Sequence, residues 1–207
     1  MQIDKLHYIT TNFSDAEQAC RGGAGWIQLR IKNKAYEEWK AIARETKKVC
    51  EQYGTKLIIN DSVQLAKEIG AAGVHLGKED MSPAEARIIL GDQFIIGGTA
   101  NTWEDIKRLT TLRIDYIGLG PFRYTQTKTN LSPLLGIKGY DALMKNCRVE
   151  SVTTPMIAIG GIQKEDIHSV LATGVFGIAV SSAITNSGNI KKETFRFKEA
   201  IENYKRE

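Results

Sequence analysis

Eight short apolar runs punctuate the chain, and a stretch with helical period follows each of them. The runs are Leu6–Thr10, Trp26–Arg30, Lys56–Asp61, Gly73–Gly77, Phe94–Thr99, Tyr116–Pro121, Met156–Gly161 and Gly177–Ser182. They are rich in Ile, Val and Gly and short enough for buried strands. Between and after them the pattern predicts helices over Asp15–Arg21, Ala35–Tyr53, Ser62–Gly70, Ser82–Leu90, Thr102–Leu112, Gly136–Cys147, Lys164–Ala172 and Asn189–Tyr204. The second helix sets Tyr36, Trp39, Ala43, Thr46, Val49 and Tyr53 on one face, and the last does the same with Ile190, Thr194, Phe197, Ile201 and Tyr204. Ser14, Ser82 and Asn101 are candidate N-caps, Pro83 suits a first helical position, and Gly22/Gly23, Gly54, Gly70, Gly91 and Gly174 mark helix ends. Strand then helix, eight times in 207 residues, predicts a single (β/α)8 barrel spanning residues 1–207 with no internal domain boundary. The competing open doubly wound sheet fits less well, because no strand-to-helix turn carries GxGxxG.

Polar residues gather where the runs end. In Trp26-Ile27-Gln28-Leu29-Arg30-Ile31-Lys32, strand alternation puts Gln28, Arg30 and Lys32 on one face and Ile27, Leu29 and Ile31 on the other. The apolar face of a barrel strand packs on the helices, so the polar three point inward and toward the mouth, where Arg30 and Lys32 suit an anion. Asn60–Asp61 closes the third run and Asp80 follows the fourth. Two carboxylates at neighbouring strand ends suit Mg²⁺, which binds through one or two carboxylates plus substrate phosphates. The alternative is that Asp61 and Asp80 merely cap the helices that follow. The sixth run opens into Gly118–Lys128, GLGPFRYTQTK, where Thr125, Thr127 and Lys128 form a compact donor set for phosphate. Gly160–Gly161 and Ser181–Ser182 end the seventh and eighth runs, the place where barrels often bind phosphate. His75 sits inside the fourth run, opposite to Val74 and Leu76, and reads as an interior group. No Ser–His–Asp or Cys–His set is readable, which argues against acyl transfer.

Bulk properties narrow the field only a little. A net charge of +4 without any dense Lys/Arg run argues against nucleic-acid binding. No apolar run approaches the roughly 20 residues that cross a bilayer, and the N-terminal MQIDKLHYITTNF has no signal-peptide pattern. Cys20, Cys50 and Cys147 match no metal or redox spacing, so reduced thiols in a cytoplasmic protein are expected. The sequence leaves self-association into a homo-oligomer open.

Taken together, these segments resemble the thiamine phosphate synthase and thiazole tautomerase family nearly end to end. The resemblance rests on QLRIK (Gln28–Lys32), LIINDSVQLAKEIGAAGVHLGKED (Leu57–Asp80), YIGLGPFRYTQTK (Tyr116–Lys128), AIGGI (Ala158–Ile162) and AVSSAI (Ala179–Ile184). It implies that Gln28, Arg30, Lys32 and Asn60 hold an aminopyrimidine diphosphate and that Asp61 and Asp80 bind Mg²⁺. It further implies that Thr125 and Thr127 meet a thiazole phosphate, that Lys128 meets the pyrophosphate, and that Gly161, Ser181 and Ser182 anchor the thiazole phosphate. The reaction implied is alkyl transfer to the thiazole nitrogen with loss of pyrophosphate, with Lys128, Arg30 and Lys32 as its cationic catalytic groups. The substrates would be small phosphorylated pyrimidine and thiazole molecules.

The chain departs from the family pattern at three places. Ile31 stands where Glu is usual, Lys78 stands where Gln is usual, and Thr99–Ala100 replaces a Ser followed by Thr or a similar residue. Thr99 keeps a hydroxyl where that Ser acts, whereas Lys78 is close enough to Asp80 to compete with a metal or grip pyrophosphate. The rival within the family is an isomerase, the thiazole tautomerase, whose branch relies on a His in the loop after the fifth strand. Here that loop reads TANTWED, without His. A non-catalytic paralogue that binds thiazole phosphate is the remaining alternative.

Overall fold

The alternation of side chains along each strand decides the architecture. In the computed structural model, which describes residues 2–124 and 133–204, eight parallel strands close into a barrel in the order β1 to β8. They are β1 Leu6–Thr10, β2 Trp26–Leu29, β3 Lys56–Asn60, β4 Gly73–Leu76, β5 Ile95–Ala100, β6 Tyr116–Leu119, β7 Met156–Ile159 and β8 Gly177–Val180. Closure pairs β1 with β8, His7 lying opposite Ala179, so no strand edge is left bare. The helices are α1 Phe13–Arg21, α2 Tyr36–Gln52, α3 Val63–Ile69, α4 Pro83–Leu90, α5 Trp103–Thr110, α6 Gly136–Val149, α7 Ile167–Ala172, α8 Ser182–Thr185 and α9 Ile190–Glu202. A 3-10 turn, Lys164–Asp166, leads into α7.

Alternate residues of the strands feed two separate apolar layers. Ile27, Leu29, Val74, Leu76, Ile96, Ala158, Ile178 and Val180 pack outward against the helices. Trp26, Ile58, Ile95, Tyr116, Ile157 and Ala179 fill the barrel interior. That interior is aromatic in the middle: His7 stacks on Trp26 at 4.1 Å between ring centroids, and the Tyr116 ring stands edge-on to both. Rings of this size fit because facing strands supply glycines. A Cβ at Gly97 would overlap the Tyr116 ring, and one at Gly118 would stand 2.9 Å from Cε1 of His75.

Several local expectations need correction. The helices start at other caps than Ser14 and Asn101: Asn12 accepts from the Asp15 N–H, and Thr102 forms a reciprocal box with Asp105. Each of these neighbours has the extended backbone that a cap requires. Ser82 does cap α4, with Glu85 closing the box and Pro83 beginning the helix. On α2, Tyr36 and Tyr53 face solvent, because a 3.6-residue period over 17 residues carries its ends off the buried stripe and gives Cys50 the inner position. A helical turn over Ser182–Thr185 was not expected; four residues are too few for any periodicity to show. The three cysteines are free and buried, each within a helix, as the pattern suggested.

Candidate active site

The second strand delivers its polar face to the barrel mouth. Gln28 is buried at the C-terminal end of β2, and its Nε2 donates to Oδ1 of Asn60, the last residue of β3, at 3.0 Å. The two amides orient one another across adjacent strands. Gln28 Oε1 and Asn60 Nδ2, one acceptor and one donor, stay out of that bond. Arg30 and Lys32 follow just beyond the strand, Arg30 held by its N–H to the Thr10 carbonyl at 2.8 Å. Ile31 turns away into the layer beneath the helices, so its difference from the family pattern leaves the mouth unchanged. Ala100 likewise packs outward.

Asp61 sits in left-handed backbone, φ 68°, directly after Asn60. It does not cap α3: that cap is Ser62, which accepts from the Leu65 N–H. Asp80 does not cap α4 either; it folds back to accept from the Gly77 N–H at 2.6 Å. The capping alternative for both carboxylates therefore falls. Lys32 Nζ approaches Asp61 Oδ2 to 3.5 Å. Burial pushes the Asp61 carboxyl up to about 6, the hydrogen bond and charge of Asp80 add to the rise, and Lys32 and Arg30 oppose it. Two carboxylates that crowd each other this way form an oxygen-rich niche whose repulsion a divalent cation would relieve. Among the described residues no cluster of three or more metal-ligating His, Cys, Asp or Glu side chains forms. Two carboxylates suit a hard cation that takes its remaining ligands from substrate phosphates and water.

Lys78 does not compete for that niche. Its Nζ lies 2.6 Å from Asp105 Oδ2 at the head of α5. Burial works against ionisation of Asp105, but hydrogen bonds from Lys78 and from the Asn101 and Thr102 N–H groups outweigh it and hold the carboxyl below its usual range. Lys78 thereby ties the loop carrying Asp80 to α5, a link that no local sequence signal announces.

Thr99 points into the barrel beside this group. Its Oγ1 is 3.0 Å from Nε2 of His75, whose Nδ1 is 3.0 Å from the Tyr116 hydroxyl. Thr99, Asp80 and Lys78 together line a cavity of about 70 Å³. His75 is an interior group, as expected, yet it buttresses a site residue. The signal available in the sequence was the pair of interior glycines, Gly97 and Gly118, which make room for the two rings.

Gly160 and Gly161 follow β7 with φ 106° and 72°, backbone that side chains rarely adopt. Ser181 follows β8 and Ser182 opens α8. Gln28, Arg30, Lys32, Asn60, Asp61, Asp80, Thr99, Gly161, Ser181 and Ser182 therefore all lie at or just past the C-terminal ends of strands, the catalytic face of such barrels. Thr125, Thr127 and Lys128 lie outside the described residues.

Comparison with known proteins identifies the family. Residues 4–184 match the family described as thiamine monophosphate synthase. The chain belongs to that family. Its relatives include the thiamine-phosphate synthase of Bacteroides fragilis, 47% identical over 95% of this chain and 98% of the relative. That of Flavobacterium psychrophilum is 45% identical over 90% of this chain and 93% of its own. Among solved structures, a thiamine phosphate pyrophosphorylase from Pyrococcus furiosus superposes with a TM-score of 0.86 at 32% identity, covering 97% of this chain and 96% of that one.

Proposed function

We propose that the protein joins an aminopyrimidine diphosphate to a thiazole phosphate, releasing pyrophosphate and forming thiamine phosphate. The observation that carries this reading is the meeting, at one barrel mouth, of the Gln28–Asn60 amide pair with Lys32 and the Asp61–Asp80 carboxylates. Few chemistries need a neutral amide clamp beside cations and an oxygen-rich niche. Transfer from a heterocyclic diphosphate does.

The acceptor and donor that the Gln28–Asn60 bond leaves over match a ring nitrogen next to an exocyclic amine, and so orient the pyrimidine. Asp61 and Asp80 would hold Mg²⁺, which supplies neutralising charge for a diphosphate when bound. In this reading Arg30 and Lys32, just beyond β2, meet the diphosphate, and Lys128 of the TQTK segment joins them. As its C–O bond to the pyrimidine methylene breaks, the electron pair leaves on pyrophosphate, and these cations stabilise the growing charge. The thiazole nitrogen lone pair then forms the new C–N bond. No residue has to remove a proton, which agrees with a site built from amides, cations and hydroxyls. Thr99 adds a hydroxyl at the same rim. Thr125, Thr127, Gly161, Ser181 and Ser182 take the thiazole phosphate in this reading.

The isomerase alternative gains no support from the loop after β5. It lacks histidine, the Asn101 side chain donates to the Gly120 carbonyl, and Asp105 is engaged with Lys78. The acceptor phosphate is tested with Ser182→Asp, which sets a carboxylate against that group. The KM for thiazole phosphate should rise sharply while that for the pyrimidine diphosphate stays nearly constant. An unchanged thiazole KM would move the phosphate elsewhere.

A further inference from the structure

Arg123, the second residue of the loop after Pro121, lies against the Gly160–Gly161 turn and grips it at two successive peptide planes. Its backbone N–H donates to the Gly160 carbonyl at 3.0 Å. Its guanidinium Nη1 donates to the Gly161 carbonyl at 3.1 Å. The same guanidinium forms a fork with Asp166, Nη1 to Oδ2 and Nη2 to Oδ1, both at 2.8 Å. Asp166 is itself fixed by the Gln163 N–H at 2.7 Å, and the guanidinium stands 4.6 Å from the Phe122 ring centroid. The side chain passes so close that a Cβ on Gly161 would come within 2.5 Å of Arg123 Cγ.

A peptide plane is rigid, and in a trans peptide the N–H points opposite to the C=O. Fixing the Gly160 carbonyl fixes the N–H of Gly161, and fixing the Gly161 carbonyl fixes the N–H of Ile162. Both N–H groups therefore face away from Arg123. Neither meets an acceptor among the described residues. Adjacent glycines have more backbone freedom to lose than any other pair, so such donors are poorly aligned unless something braces them.

We infer that Arg123, locked by Asp166, is the positioning residue that holds the Gly161 and Ile162 N–H donors ready for the thiazole phosphate. The inference rests on the reading of this turn as the phosphate anchor. Arg123 acts through the turn and does not itself bind the phosphate.

The test measures steady-state KM and kcat for both substrates in Arg123→Ala, Arg123→Lys, Asp166→Asn and the Arg123→Ala/Asp166→Asn double variant, with Ser182→Asp as a separate probe of the phosphate site. Loss of the brace should raise the thiazole phosphate KM about tenfold, the size of a coupling between contacting residues. The kcat and the pyrimidine diphosphate KM should move by less than about twofold on the same scale. Lysine keeps a cation but not the fork, so Arg123→Lys should fall between wild type and Arg123→Ala. The double variant should be no worse than either single one. Asp166→Asn is decisive: a brace predicts a raised KM, whereas an arginine that binds phosphate directly would be freed by this change and KM would fall or hold. Constant thiazole KM in Arg123→Ala, additive single effects, or a KM in Asp166→Asn that falls or holds would each overturn the inference. If Ser182→Asp raises KM while Arg123→Ala does not, the phosphate anchor stands and the brace fails. If neither variant changes it, the anchor itself is misplaced and the brace falls with it.

Discussion

His7 sets a limit on the pH range in which this barrel holds together. It is fully buried within the barrel, stacked on Trp26, with Nε2 bonded to the Asp4 carbonyl at 3.0 Å. Burial pushes its pKa down from 6.5 to about 3, nearby His75 lowers it further, and the Asp4 carbonyl opposes the shift. The folded protein therefore refuses a proton that the unfolded chain accepts. Above the ordinary histidine pKa both states are neutral at this residue and nothing is lost. Below it, stability falls as pH falls, at about 1.4 kcal/mol per pH unit until the folded pKa is reached. Between pH 7 and pH 5 the loss from His7 alone is about 2 kcal/mol, a large share of the 5–15 kcal/mol that holds a typical domain. The assay is urea unfolding at pH 7 and pH 5 for wild type and His7→Gln. Glutamine keeps a donor near the Asp4 carbonyl and does not titrate. Both proteins share all other titrating groups, so the wild-type loss should exceed that of His7→Gln by about 2 kcal/mol. Equal losses would mean that His7 is protonated in the fold or hydrated, and the argument from its burial would fail.

Three further outcomes follow from the site and core. Asp61→Ala should remove most of the Mg²⁺-dependent turnover with the thermal unfolding profile preserved; turnover undiminished in EDTA would remove the metal from the account. Lys128→Ala should lower kcat by about 10²-fold or more with a much smaller change in KM, because leaving-group charge grows toward the transition state. A large KM rise with intact kcat would reduce Lys128 to a docking group. Gly97→Ala should cost about 1–3 kcal/mol of stability, since its methyl would displace the Tyr116 ring; a wild-type melting profile would show that the interior tolerates the added volume.

What the sequence reveals about this molecule is whatever repeats or stays local. The barrel was legible because eight strand–helix units carry one pattern, and the inward face of Gln28 because a strand has period two. Asn60, Asp61 and Asp80 were legible as candidates because polar residues ending apolar runs stand out. The partners that organise the site were not. Lys78 meets Asp105, Thr99 meets His75, and Arg123 meets Asp166, each across neighbouring strand–helix units that the pairing of adjacent strands brings together. Lys78 illustrates the cost: near Asp80 in sequence it looks like a competitor for metal, but in space it is bound to the head of α5. The helical turn at Ser182 escaped for a different reason, since it is shorter than the period that would reveal it.

The central claim is alkyl transfer between two phosphorylated heterocycles, and one measurement reaches it directly. Purified protein is incubated with hydroxymethylpyrimidine diphosphate, thiazole phosphate and Mg²⁺, and thiamine phosphate and pyrophosphate are quantified together. The account predicts that the two products appear in equal amounts and that both substrates are required. Binding of thiazole phosphate with no thiamine phosphate formed, or rearrangement of a thiazole isomer without pyrophosphate release, would contradict it.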